Sequence, residues 1–474
     1  MIVLDRDSRE PLYMQIYLQL RQGFLDGTFK EGQILAGSRG LAGTLQVSRN
    51  TVDNAYSQLM AEGYIVPRKG IGYAVAGLPE LDMGRDRPAR SSSLHSGADA
   101  AKAPDDRPIL YDLTNSSHTS DLFPRSLWRR YTLECLERLG QEARLSAGQD
   151  RQGELYLRRS LLSYLERIRG VHCTQDQIII TSGIQQSLDC ICKLLSPGNG
   201  VFLMEEPGFN KAAAVFKTNR IAIRTVPVDE NGIVISALPQ DGLADALYST
   251  PSHQFPTGVT MPVSRRYELL HWAAKSGAYI IEDDFDSEMR YYAKPIPSLQ
   301  SIDAQDRVIY LGTFSKALSP SIRMGYMILP PRLLKLYDET FSDYNSTVPL
   351  LNQYVVARLI ETGQYDRHIR RLNHIFRKRL ELFTAGFSDV KHRVKISSNR
   401  TGQYFLMEFS DSADQTELIA QALEKGVRVY PTMQFWQDKA ECPPNTLFLG
   451  FGKIPLEDIP DCVSRLKSAW ACWL

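Results

Sequence analysis

Apolar residues in the first 76 positions recur with helical spacing. In PLYMQIYLQLRQGFLDG they return every three or four residues, which predicts an amphipathic helix that stops at Gly27. SRGLAGTL reads as a second, short helix, and Ser48 then caps a third, RNTVDNAYSQLMAEG, which ends at Gly63. Val52, Ala55, Tyr56, Leu59 and Met60 fall on one stripe of that helix and are expected to be buried, with Arg49, Asn50, Asp53 and Ser57 opposite. YIVPRKGIGYAVA follows as two strands around Lys69-Gly70, with Arg68 and Lys69 at the tip. A short helix, a tight turn through Gln46-Val47 and a helix with a polar start make a helix-turn-helix. In that geometry the first residues of the second helix reach base edges and phosphates.

The pattern breaks at residues 77–107, a stretch rich in Ser, Ala, Pro, Gly and charge with almost no large apolar side chain. Such a segment cannot bury enough surface to offset the entropy of ordering, so it is expected to be a flexible linker. From 108 to 474, apolar runs such as QIIIT, GVFLM, AYIIED, RVIYLG and MGYMILP alternate with amphipathic helical stretches. That alternation predicts an α/β fold with a mainly parallel sheet.

Composition adds limits more than clues. A chain of 474 residues with 43% hydrophobic content is too long for one ordinary domain and apolar enough for a large core. Its 55 basic and 54 acidic residues nearly cancel, and the first 76 positions hold eight Lys/Arg against seven Asp/Glu. Net charge therefore points to no nucleic-acid partner, and any DNA-binding surface is local. Seven cysteines are thinly spread, and Cys190 and Cys192 have the wrong spacing for a zinc knuckle. They are expected to be reduced thiols of a cytoplasmic protein, with no metal. The charged start MIVLDRDSREPLY and the lack of a long apolar run lead to no expectation of a secretory leader or membrane partner.

The candidate chemistry sits in the second zone. VIYLGTFSKALSPSIRMGYMILP (308–330) carries Lys316 in a small polar loop after a buried strand, with Arg323 one loop further on. A lysine there can lose basicity and form a Schiff base, and an arginine suits bidentate phosphate binding. A bare lysine and arginine at that separation is usually surface decoration, so the weight comes from convergence with three other segments. ITSGIQQSLDCICKLL offers the amides of Gly183, Ile184 and Gln185 at a helix N-terminus, a ready phosphate cradle. AYIIEDDFDSEMRYY ends a strand on Glu282, Asp283 and Asp284, where one carboxylate can pair with a protonated pyridine nitrogen. STPSHQFPTGVTMP is a loop able to present His253 and Gln254.

Two family resemblances follow from these motifs. L-x-x-S-R-x-L-A…V-S-R-N-T-V-x-x-A-Y-x-x-L-x-A-E-G-Y…R-x-G-x-G-Y resembles the GntR-type winged helix, and by position it implies DNA contacts at Arg39, Ser48, Arg49, Asn50, Thr51, Arg68 and Lys69. The usual Pro-Ser before Ser-Arg is Ala36-Gly37, which is expected to loosen the start of the second helix. Residues 109–470 are similar to fold-type I aminotransferases, which implies a large mixed, mostly parallel sheet with flanking helices and a small C-terminal α+β subdomain. E-P-G-F (206–209), T-P-S-H-Q-F-P-T-G (250–258), E-D-D-F-D-S-E (282–288) and G-T-F-S-K (312–316) place the chain nearer the MocR/GabR-type regulators. The resemblance implies pyridoxal 5′-phosphate (PLP) on Lys316 as an internal aldimine and Asp283 at the pyridine nitrogen. It further implies Arg323, Ser315 and residues 183–185 at the phosphate, and Phe209 stacked on the ring. It also implies a homodimer, head-to-tail, whose two heads read two half-sites of duplex DNA while a small amino compound, or PLP itself, is sensed.

Several positions depart from that family. Phe285 stands where the motif usually has a tyrosine that donates to the cofactor's phenolate oxygen; His253, Gln254 or a water is left for that role. The positions of an effector-clamping arginine pair are Lys211 and Gln434, with Arg400 and Arg428 as other candidates, so an effector other than a plain γ-amino acid is expected. Leu447 stands about where aminotransferases carry an arginine for the α-carboxylate. Sensing is thus favoured over turnover, the alternative being a working aminotransferase with a DNA-binding domain attached.

Overall fold

The computed structural model describes residues 2–6, 8, 10–68, 72–77, 108–114, 121–196, 198–291, 296–397, 401–410 and 413–474. The chain divides into two compact units, Met1–Pro104 and Asp105–Leu474. The boundary lies inside the stretch expected to be a linker, which apart from Gly77 lies outside the described residues.

In the first unit, α1 (Leu12–Leu25), α2 (Ser38–Leu45) and α3 (Arg49–Ala61) pack around Ile16, Leu20, Ala42, Val52, Ala55, Tyr56 and Leu59. Gly27 and Gly63 take left-handed φ values of 76° and 80°, which lets the chain turn out of α1 and α3. Gln46 ends α2 with φ 52°, and Val47 N–H donates to Ala42 O at 3.1 Å, closing the tight turn. Ser48 Oγ accepts from Thr51 N–H at 3.1 Å and so caps α3. Met60 departs from the expected stripe: it is 41% exposed, because it lies at the edge of the buried arc near the helix end. Tyr56 O–H donates to Ala36 O at 2.7 Å, which anchors the entry to α2 despite the Ala36-Gly37 sequence. β1 (Ile65–Arg68) and β2 (Gly72–Val75) form the antiparallel wing, and Ile34 bridges to Ala74 beside it.

The second unit opens on β3 (Tyr111–Asp112). Its central sheet holds β4 (Ile178–Thr181), β5 (Val201–Glu206), β6 (Ala222–Asp229), β7 (Gly232–Ile233), β8 (Ala246–Ser249), β9 (Tyr279–Asp283), β10 (Val308–Thr313) and β11 (Gly325–Ile328). The order is β4-β11-β10-β9-β8-β5-β6-β7, with β11 and β7 antiparallel to their neighbours and the other six strands parallel. All five apolar runs singled out in the sequence are strands of this sheet. Their near-continuous hydrophobicity is explained by burial on both faces. The C-terminal part is a second, antiparallel sheet of β12 (Lys395–Ser397), β13 (Tyr404–Glu408), β15 (Tyr430–Pro431) and β16 (Thr446–Gly450), in the order β12-β13-β16-β15. Helices Gln364–Gly386, Gln415–Glu424 and Ile459–Ala469 belong to the same part, and β14 (Val427–Arg428) pairs with β3. Fold-type I aminotransferase architecture is thus realised: a mixed, mostly parallel sheet plus a small α+β subdomain. None of the described helices is long and apolar enough to cross a membrane. All seven cysteines are free thiols.

Candidate functional site

Parallel strands leave a crevice beyond their carboxyl ends, where a ligand can meet loops from several strands at once. Here β9 ends on Asp283, β10 runs into the loop that carries Ser315 and Lys316, and β4 turns through Gly183 into the helix Ile184–Leu195. Together with the small sheet they enclose a cavity of about 450 Å³, within the range of small-molecule sites. Its lining brings together Gly183, Ile184, Gln185, Phe209, Asp283, Phe285, Ser315, Lys316 and Arg323, and also Lys211 and Gln434.

Strand alternation sorts the three carboxylates at the end of β9. Glu282 accepts from the N–H groups of Leu299 at 2.7 Å and Gln300 at 2.9 Å. Asp284 turns the same way onto Arg169, with Nε to Oδ2 at 2.7 Å and Nη2 to Oδ1 at 3.0 Å, and also accepts from Ser287 and Tyr310. Burial would raise the Asp284 carboxyl, but the Arg169 charge and these hydrogen bonds hold it below the usual range. Asp283 alone faces the cavity. Its Oδ2 accepts from Tyr248 O–H at 2.5 Å, while Oδ1 is buried without a hydrogen-bond partner among the described residues. Burial pushes this carboxyl up to about 7, and the Tyr248 hydrogen bond opposes the rise while Asp284 and Asp286 add to it.

Burial also brings the Lys316 ammonium down to about 8; Asp286 opposes the drop and Lys211 adds to it. A lysine so placed keeps a neutral fraction near pH 7 that an ordinary lysine lacks, and that neutral amine is a nucleophile. Ser315 is fixed by Thr313, whose hydroxyl donates to Ser315 Oγ at 3.0 Å and accepts from Ser315 N–H at 3.1 Å. Arg323 has φ 50°, a sparsely populated backbone for a non-glycine residue. Its guanidinium lies so close to Gly183 that a Cβ there would stand 3.3 Å from Nη2. Gly183 itself has φ 112°, a conformation that glycine tolerates and side-chain residues rarely adopt.

These observations fit PLP. The unpartnered Asp283 oxygen suits a protonated ring nitrogen. The helix N-terminus at Ile184, Arg323 and the Ser315 hydroxyl make an anion cradle. Lys316 lines the same cavity, and Phe209, held edge-on against Phe255 with ring centroids 5.4 Å apart, gives it an aromatic wall.

Other expected residues are placed elsewhere. His253 does not line the cavity: Nδ1 lies 2.7 Å from Asp286 Oδ2, and the ring is stacked between Phe285 and Tyr404. Gln254 is fully engaged, its amide donating to Pro207 O and Phe255 O and its carbonyl accepting from Thr257. Neither lines the cavity beside Phe285. Arg428 is exposed on β14 and does not line the cavity, and Arg400 and Lys69 lie outside the described residues. Leu447 is turned away into the core; the residue of β16 that faces the cavity is Phe448.

Sequence reasoning missed Tyr248, Tyr430, Phe255, Phe435, Phe448 and Glu205. Glu205 is buried and accepts from Ser249 Oγ at 2.5 Å and Thr250 Oγ at 2.8 Å, fixing the loop after β8. Two consecutive glutamates at the end of an otherwise apolar strand were a usable signal for it. Tyr430 lines the cavity and donates to Asp112 Oδ1 at 2.8 Å.

In the first unit, Arg39, Ser48, Arg49, Asn50 and Arg68 are exposed and Thr51 is half-buried. Arg49 pairs with Asp53 at 3.3 Å along α3. The start of α3 thus presents Arg49 and Asn50 to solvent at a helix N-terminus, as a groove-reading helix does.

Comparison with known proteins agrees with both halves. Residues 12–75 match the gntR family of bacterial regulatory proteins, and residues 128–439 match aminotransferase class I and II. The HTH-type transcriptional regulator YdeL of Bacillus subtilis is 36% identical over 98% of this chain and 98% of its own. The probable rhizopine catabolism regulatory protein MocR of Rhizobium meliloti is 32% identical over 99% of this chain and 96% of its own. A kynurenine aminotransferase of Pyrococcus horikoshii, solved in complex with PMP, superposes with a TM-score of 0.69 at 26% identity, covering 76% of this chain and 90% of that one. The chain belongs to the MocR-type transcriptional regulators, in which a DNA-binding GntR-type helix-turn-helix unit is followed by an aminotransferase class I and II unit.

Proposed function

We propose that the second unit holds PLP at Lys316 and that occupancy of this site, by an amine or by the cofactor itself, sets the DNA binding of the first. The observation that carries the reading is the Asp283 Oδ1 atom, buried and unpartnered among the described residues, in the same cavity as Lys316 and the Arg323–Gly183 cradle. PLP supplies an aldehyde that condenses reversibly with a primary amine and a conjugated ring that absorbs visible light. Asp283, held by Tyr248, would pair with its protonated ring nitrogen. Arg323, Ser315 and the amides at Gly183, Ile184 and Gln185 would hold its phosphate, and Phe209 would supply an aromatic wall beside its ring. Lys316 offers a partly neutral amine.

The cavity is bounded by loops of the large sheet and by Tyr430, Gln434, Phe435 and Phe448 of the small subdomain. A ligand there touches both parts and favours whichever relative position fits it better. Only such a difference in affinity can move the equilibrium. The chain acts as a head-to-tail homodimer in the cytoplasm, with two heads on two half-sites and Arg39, Arg49, Asn50 and Arg68 among the DNA contacts. Fluorescence anisotropy of a labelled duplex from the chain's own upstream region tests this. PLP or an amine should change the wild-type affinity and leave Lys316→Ala unmoved; equal affinities under every condition sink the reading.

A further inference from the structure

The chemistry of the ligand can be read from the aromatic wall of the cavity that Lys316 lines. β16 alternates, so Leu447 and Leu449 enter the core while Phe448 faces the cavity. Phe448 is paired with Leu406 on one side and Tyr430 on the other. Phe255, 2% exposed, is the hub of this wall: its ring lies 4.9 Å from Phe435, 5.4 Å from Phe209 and 6.0 Å from both Phe285 and Phe448. All of these aromatic residues line the cavity. The uncharged polar side chains that line the cavity with them, among the described residues, include Thr114, Asn210, Tyr430 and Gln434. Tyr430 O–H is already given to Asp112, and the Gln434 amide donates to Pro431 O at 3.0 Å.

We infer that the ligand of this site is an amine with an aromatic body, its ring packed against Phe448, Phe435 and Phe255, and that a carboxylate at that end is disfavoured. The inference rests on the cofactor reading above. An aromatic group placed here removes apolar surface from water on both sides and can pack edge-to-face against the Phe rings. A carboxylate placed here loses its hydration without a charged hydrogen-bond partner on the aromatic wall among the described residues. Lys211, which also lines the cavity, is exposed, so it offers a hydrated point charge and not a buried two-pronged clamp.

The test is a titration of the wild-type protein, loaded with PLP, with 2-phenylethylamine, γ-aminobutyrate and L-glutamate, following the visible absorbance band. 2-Phenylethylamine is expected to shift the band at a concentration at least about tenfold below that of either carboxylate-bearing amine, the effect of burying one ring. A γ-aminobutyrate or glutamate response at equal or lower concentration overturns the inference, as does a band that 2-phenylethylamine leaves in place. Absence of any band after PLP is added is a different result: it removes the cofactor reading, and the inference falls with it.

Discussion

Replacing Asp283 by Asn should change how the cofactor-free second unit responds to pH. Burial raises the Asp283 carboxyl from 3.8 to about 7. Between those values the unfolded chain has released a proton that the folded chain still holds, so stability falls as pH rises, and the fall is complete above the folded value. Three units at about 1.4 kcal/mol each make about 4 kcal/mol. Asparagine keeps the shape and cannot ionise, so the variant lacks this slope. Glu282 and Glu288 are also raised to about 7 by burial, but both remain in the variant and cancel in the difference. The assay is urea unfolding followed by tryptophan fluorescence, because all five tryptophans lie between 128 and 473 and report on this unit alone. At pH 5 about 1.6 kcal/mol of the loss has already occurred in the wild type, so the stability difference should move by roughly 2–3 kcal/mol further in the variant's favour on going to pH 8. Parallel pH profiles for the two proteins would refute the placement of an uncompensated carboxyl in the cavity.

Three further outcomes follow from the geometry. Arg169→Met leaves Asp284 buried without its ion pair and Ser252 without its donor, and should cost about 3–5 kcal/mol in the same urea experiment. Gly183→Ala forces a φ of 112° on a residue with a Cβ and pushes that Cβ against Arg323; PLP affinity measured by absorbance should fall about tenfold, the equivalent of about 1.4 kcal/mol, and unchanged affinity would separate Gly183 from the phosphate. Arg49→Ala should weaken DNA binding for all sequences and lower the slope of log affinity against log salt by about 1 if it meets a phosphate; an unchanged slope with relaxed sequence preference would assign it to a base.

Much of this site is legible in one dimension because its parts are short, contiguous and placed at strand ends. Lys316, Ser315 and Arg323 share one strand–loop–strand segment, Asp283 closes an apolar run, and residues 183–185 start a helix directly after a strand. What fails to be legible depends on which way a side chain turns. A shift of one residue exchanges the two faces of a strand, which is why Phe448 and not Leu447 meets the cavity. His253 is drawn away by Asp286, thirty-three residues distant in sequence, and nothing local marks that pairing. Arg428 sits on an edge strand whose partner, β3, lies over three hundred residues earlier in the chain. Met60 obeys helical spacing but lies at the margin of the arc that α1 and the wing cover. The aromatic wall is assembled from five separate segments, around residues 209, 255, 285, 430–435 and 448, so only the folded chain displays it.

The central claim, a PLP site built on Lys316, is tested most directly by one spectrum. Wild-type protein and Lys316→Ala are purified, supplied with PLP, freed of excess and measured between 300 and 500 nm (a range of about 200 nm that spans PLP absorbance). The account predicts a visible band in the wild type that the variant lacks or shows at the position of free PLP. A wild-type protein that stays colourless, or a band identical in both proteins, would contradict it.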